Sequence, residues 1–264
     1  MKQRRTRFAL DLHTAVTAFA GATLFLFPRA SAALWPWPLP PLAARFMGAL
    51  FVGGAVCSLV CLRAPTRRDT FVLVWLALGD ALIVLTGLLA IAGVGRTAAL
   101  VGFLVFFAAL ASLLCLAALT GEGAASSPPL PAALLRLLRG FFAIHLLVVL
   151  PVGVVMFFAP AWAQPLWPWK MTPLNIRLIG SFFFGAAFIS TWALGESSAQ
   201  SLRAVLALYT TFASLATLAA LMHFGLFDPA RITTWAFFAL YVFVAAGSAL
   251  LLRQLPSETA AASR

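Results

Sequence analysis

The sequence predicts an all-α integral membrane protein: eight transmembrane helices in two parallel four-helix repeats, with both termini cytoplasmic. Three observations carry this. Hydrophobic residues make up 63% of the 264 and charged residues only 9%, with a mean hydropathy of +1.02, whereas soluble domains are about one-quarter charged. Apolar runs near the roughly 20 residues that cross a bilayer recur along the whole chain. And the chain states one pattern twice, 132 residues apart.

The apolar runs fall at 8–27, 42–62, 70–93, 98–119, 140–159, 174–195, 203–224 and 232–253. The first follows the basic stretch Met1-Lys2-Gln3-Arg4-Arg5-Thr6-Arg7, which is built like the n-region of a signal peptide, and Ala30-Ser31-Ala32 supplies small residues of a cleavage site. Its repeat partner, 140–159, cannot be a signal, so the first run is expected to stay in the mature fold. The second and sixth runs open at Pro41 and Pro173, where a helix's first turn has no use for the missing N–H. Between the fourth and fifth runs, Thr120 to Pro129 is rich in Gly, Ser and Pro. The expected organisation is therefore a first repeat at 1–120, a cytoplasmic linker at 121–139, a second repeat at 140–256 and a disordered tail at 257–264.

The repeated pattern is densest in the first two runs of each half. Leu34-Trp35-Pro36-Trp37 returns as Leu166-Trp167-Pro168-Trp169, and Pro41, Arg45, Gly48 and Gly53 return as Pro173, Arg177, Gly180 and Gly185. Pro28, Gly21, His13 and Arg7 likewise pair with Pro160, Gly153, His145 and Arg139. Matched leucines come easily in such a chain; matched Trp, Pro, His and Arg do not. Four runs per half bring the second half in from the same side as the first, so the repeats are read as parallel, with an axis along the membrane normal. The later runs of each half match mainly in hydropathy.

Orientation follows the basic residues. With the N-terminus inside, Lys2, Arg4, Arg5, Arg7, Arg63, Arg67, Arg68, Arg136, Arg139, Arg203, Arg253 and Arg264 are cytoplasmic, against Arg29, Arg45, Arg96, Lys170, Arg177 and Arg231 outside. The net charge of +11 is then a topology signal plus attraction to anionic headgroups. Basic residues scattered over two membrane faces, with no soluble module to carry them, exclude nucleic acid as a partner. Membrane lipids, other membrane subunits or a second copy of the chain are the expected partners, and the bacterial cytoplasmic (inner) membrane is the expected location.

Candidate site residues are few. Arg45 and Arg177 sit one turn inside a helix N-terminus, where the macrodipole disfavours a cation. Such placement at both copies suggests an anion, namely a lipid phosphate, a substrate carboxylate or an acidic side chain. The alternative is two arginines snorkelling to the interface. Trp35, Trp37, Trp167 and Trp169 stand beside them in stiff, Pro-rich outer loops, as walls of a site or as headgroup anchors with a wet N–H. Gly48, Gly53, Gly180 and Gly185, together with Ala49, Cys57 and Cys61, read as close helix packing. His13 and His145 lie two turns inside the cytoplasmic end; facing each other, they could hold a metal or a haem iron or form a proton-responsive pair, or else hydrogen-bond between helices. Asp80 stands alone in mid-span, with Phe212 at the equivalent position, and an ionisable residue at that depth is a functional candidate by default. Cys57, Cys61 and Cys115 read as buried thiols. Enzyme signatures such as GxSxG, HExxH or a P-loop are absent.

The string Leu-Trp-Pro-Trp-x3-Pro-Leu-x2-Arg-x2-Gly, at 34–48 and 166–180, resembles a motif of uncharacterised bacterial multi-pass membrane proteins with two such halves. That resemblance implies a fold and no activity. The Arg45–Gly53 run is also similar to one in DoxX-like four-helix membrane proteins, although there it lies in the first helix and is more widely spaced. Three functions follow as expectations. One is binding or transport of an amphipathic or anionic small molecule or lipid at the outer leaflet. A second is a non-catalytic subunit or assembly factor of a larger membrane complex. The third is electron transfer by a cofactor held between His13 and His145.

Overall fold

A computed structural model describes residues 2–63, 72–90, 97–120 and 130–256. In chain order these form α1 (Lys2–Leu26), α2 (Pro28–Ala32), α3 (Pro41–Arg63), α4 (Val72–Leu89), α5 (Thr97–Thr120), α6 (Ala132–Phe158), α7 (Pro160–Ala163), α8 (Pro173–Gly195), α9 (Ala199–Met222) and α10 (Ile232–Gln254). Single 3-10 turns follow α7 and α9, at Gln164–Leu166 and Phe224–Leu226, and the described residues contain no strand. Eight of the helices, all but α2 and α7, are long and apolar enough to cross a membrane. The shortest, α4, has 18 residues, about 27 Å at 1.5 Å per residue. The chain is a multi-pass membrane protein. The expected joint at 121–129, the tail at 257–264, and Arg67, Arg68 and Arg96 lie outside the described residues.

Several boundaries differ from the sequence expectation, among them the start of α1 at Lys2. The fifth spanning helix starts at Ala132, inside the stretch read as linker. The reason is that Leu134 and Leu138, one turn apart, are buried while Arg136 and Arg139 point outward, so the helical period runs on into the basic flank. Each Trp-Pro-Trp loop also begins with a short helix, α2 and α7, opened by Pro28 and Pro160 at its first turn. The following spans start at Pro41 and Pro173, the latter with Thr172 Oγ1 accepting the N–H of Asn175.

Within a membrane, helices associate through close van der Waals packing, with lipid tails offering no hydrophobic gain. The most extensive packing joins α1 to α3 and α6 to α8. A Cβ on Gly48 would lie 2.7 Å from the main-chain O of Gly21 and N of Phe25; one on Gly180 would lie 2.8 Å from the N of Phe157. Neither neighbour is a side chain that could turn away. The helices α4 and α5, and α9 and α10, also pair. Contacts between the halves are crosswise: α3 lies along α9 and α8 along α4. Gly53 sits against Leu208 and Phe212, and Gly79 against Gly185. Polar links reinforce the crossing, with Thr86 Oγ1 3.0 Å from Ser181 Oγ and Gln200 Nε2 donating to the carbonyl of Val60 at 3.1 Å. Cys57 and Cys61 of α3 are buried.

Candidate functional site

Arg45 and Arg177 find the same partner in each half. The Nε of Arg45 donates to the carbonyl of Phe25 at 3.1 Å, and that of Arg177 to Phe157 at 3.0 Å. These carbonyls belong to the last turns of α1 and α6, where the macrodipole is negative. The charge is thus opposed by the helix that carries it and favoured by the helix it reaches. Arg45 also contacts Nε2 of His223 through Nη1. A guanidinium only donates, so the His223 nitrogen accepts and its ring is neutral. Burial, and then the Arg45 charge, hold the His223 pKa below its ordinary 6.5.

The four loop tryptophans are buried, Trp35 and Trp167 at 8% exposure and Trp37 and Trp169 at 4%. They pack against the Phe-rich fourth span of each half, so their rings are not open to the surroundings as free anchors would be. Phe103 of α5 lies 5.1 and 5.0 Å from Trp35 and Trp37; Phe237 of α10 lies 6.1 and 5.3 Å from Trp167 and Trp169. These edge-on contacts turn each loop into a lid over its own helices. Trp37 Nε1 donates to Asn175 Oδ1 of the other half at 2.9 Å, and Asn175 Nδ2 donates back to the carbonyl of Pro38 at 3.1 Å. The position equivalent to Asn175 is Ala43, and Trp169 Nε1 is left buried without an acceptor, as is Trp167 Nε1. Arg231 clamps the second lid instead, through the carbonyls of Trp167, at 3.0 Å, and Pro165.

Under each lid is an apolar groove. One, of about 670 Å³, runs between α1, α3 and α5; the other, of about 400 Å³, runs between α6, α8 and α10. Val16, Leu24, Leu34, Trp35 and Phe51 line the first, and Val148, Met156, Leu166, Trp167 and Phe183, each 132 residues on, line the second. The α5 wall of Ala99, Gly102, Phe103 and Phe106 is matched by Thr233, Ala236, Phe237 and Leu240 on α10, at an offset of 134. Trp162 alone in the second groove has no counterpart in the first. The later runs of each half therefore match in groove positions as well as hydropathy, displaced by two residues. Neither Arg45 nor Arg177 lines a groove.

His13 and His145 are both buried, and each is held by a serine of its own half: Ser58 Oγ and Ser190 Oγ lie 2.9 Å from the respective Nδ1 atoms. In the second half the chain of bonds continues. Tyr209 OH gives its one proton to the carbonyl of Ala186 at 2.9 Å, so Ser190 donates to Tyr209 at 3.0 Å and His145 donates from Nδ1 to Ser190. No hydrogen bond or ring contact joins the two imidazoles. They line separate cavities, of about 80 Å³ at His13 and about 30 Å³ at His145, which share a wall of Phe182, Ala186, Tyr209 and Phe212. A haem-sized group needs roughly 300 Å³ or more, so this pair does not fit a bridging haem. Among the described residues, no group of three His, Cys, Asp or Glu could hold a metal.

Asp80 lines the His13 cavity, together with Thr17, Gly54, Gly79 and Tyr209. Nothing in the sequence connects Asp80 with His13, and His223 and Asn175 are not among its candidates. His223 could have been found as the residue closing a span at the same end of the helices as Arg45. Asn175 stands out as the amide in an apolar helix start. No protein-family model, curated protein or solved structure matches the chain.

Proposed function

We propose that the protein binds, and carries between leaflets or partners, an amphipathic molecule with hydrocarbon chains, a lipid or its chemical equivalent, in the two lidded grooves. In this reading the chain is two parallel four-helix repeats in the bacterial inner membrane, termini cytoplasmic, with the lids toward the outer leaflet. The observation that carries it is the double groove: lining positions recur 132 residues apart on α1 and α6 and on α3 and α8, and 134 apart on α5 and α10. A groove walled by Val, Leu, Phe and Met suits an acyl chain, and the lid above it is held rigid by Pro, Trp and either Asn175 or Arg231. The arginines support the scaffold in this reading, and the anion-binding role expected of them is not part of it.

Gly102 and Ala236 line the two grooves, and a Cβ on Gly102 meets nothing within 4 Å. Gly102→Phe and Ala236→Phe therefore fill the grooves without breaking helix contacts. The test is native mass spectrometry and lipid extraction on gently solubilised protein. Wild type should retain a tightly held amphipathic molecule that the double variant loses. Equal retention would overturn the reading. Stoichiometric recovery of another membrane subunit, lost in the same variant, would instead make the grooves a docking face in a larger complex.

A further inference from the structure

We infer that Asp80 and His13 form an intramembrane proton-binding site. Both line the cavity of about 80 Å³ bounded by α1, α3, α4, α5, α8 and α9, a volume with room for water. Asp80 makes no hydrogen bond or ion pair with the described residues, and a carboxylate at this depth without a partner costs several kcal/mol. Ser58 occupies Nδ1 of His13, which leaves Nε2 as the ring atom available to the cavity.

No other acid or base competes. Among the described lining residues, α1 supplies His13, α4 supplies Asp80 and α9 supplies Tyr209; α3, α5 and α8 supply no titratable or charged group. The Tyr209 hydroxyl is taken by Ala186 and Ser190. The second half shows what the site is built from. There the serine-held histidine is kept, but Phe212 stands where the first half has Asp80, and the cavity shrinks to about 30 Å³. Loss of the carboxyl and loss of the wet volume go together. In the step itself, the O–H bond of Asp80 breaks as an N–H bond forms at His13 Nε2 through cavity water. Carboxylate and imidazolium are left facing each other, no electrons are transferred, and the reverse step restores the neutral pair.

The test is pH-difference infrared spectroscopy on the full chain in lipid nanodiscs. Wild type should show a carboxylic C=O band that is missing in Asp80→Asn and vanishes in one step as pH rises. In His13→Asn, whose amide keeps a partner for Ser58, that step should move by about one pH unit or more, a tenfold change in proton affinity. Isotopic labelling of aspartate carboxyls identifies the band in wild type and in His13→Asn, should Asp80→Asn fail to fold. A band that never titrates, or a midpoint unmoved in His13→Asn, would overturn the site. Groove occupancy is read separately, so this inference and the lipid reading fail independently.

Discussion

Arg45 reaches back twenty residues to the carbonyl of Phe25, 3.1 Å from its Nε, and so ties the second turn of α3 to the last turn of α1. Arg177 repeats the tie to Phe157. A lysine there could place a charge nearby but has no Nε–H in the plane of a fork that can reach a carbonyl and His223 together. Arg45→Lys and Arg177→Lys should each lower stability by about 1–2 kcal/mol, measured as unfolding midpoint in detergent, while retention of the bound amphipathic molecule stays at the wild-type level. Normal stability with lost ligand would instead make the arginines an anion site.

Gly48 has no space for a side chain. Gly48→Ala and Gly180→Ala should each destabilise by about 1–3 kcal/mol, because the added carbon meets backbone and the helices must part. Gly140, where nothing lies within 4 Å of a built Cβ, is the control, and its replacement by Ala should be neutral or slightly stabilising. Thermal unfolding of the three variants side by side decides this.

The two lids should respond unequally to loss of their indole N–H groups. Trp37→Phe gives up the bond to Asn175 and leaves a buried amide oxygen unsatisfied, a cost of about 1–3 kcal/mol. Trp169→Phe removes a donor that has no acceptor and should cost less. Equal losses would show that ring volume alone matters.

His223 gives a pH signature. Its folded pKa is depressed, so below the ordinary value of 6.5 the unfolded chain takes up a proton that the folded chain refuses. Stability should therefore be flat above that pH, fall as pH drops from 6.5 towards the lower folded midpoint, and level off again. His223→Gln should remove that part of the slope. Comparing unfolding midpoints across pH for wild type and variant checks the sign; a slope that is unchanged would show that the Arg45 contact is not made.

Eight spans were legible in the sequence because apolar length is a local property, and the Gly48 and Gly180 contacts were legible because small residues at helical spacing admit few uses. The arginines were legible as residues working against their own helix dipole. What answered them was hidden, because the partner is a main-chain carbonyl, which every residue possesses and no side chain announces. Burial of Trp35 and Trp167 was hidden for a related reason. The phenylalanines that cover them lie in the fourth spans, whose match is displaced by two residues and so vanishes at the offset that reveals the rest. Asp80 was conspicuous alone, whereas its sharing of a cavity with His13 depends on how α1 and α4 come together, which no local pattern encodes.

The crosswise packing of α3 on α9 and α8 on α4 bears on what one repeat would be by itself. Cut from its twin, a four-helix unit would bare the long glycine-bearing side of its second helix, and with it a buried glutamine or serine contact. The way to cover that side is to meet an identical unit in the same membrane. An unfused, single-length version of this chain would thus exist as a homodimer with interlocked second and third helices.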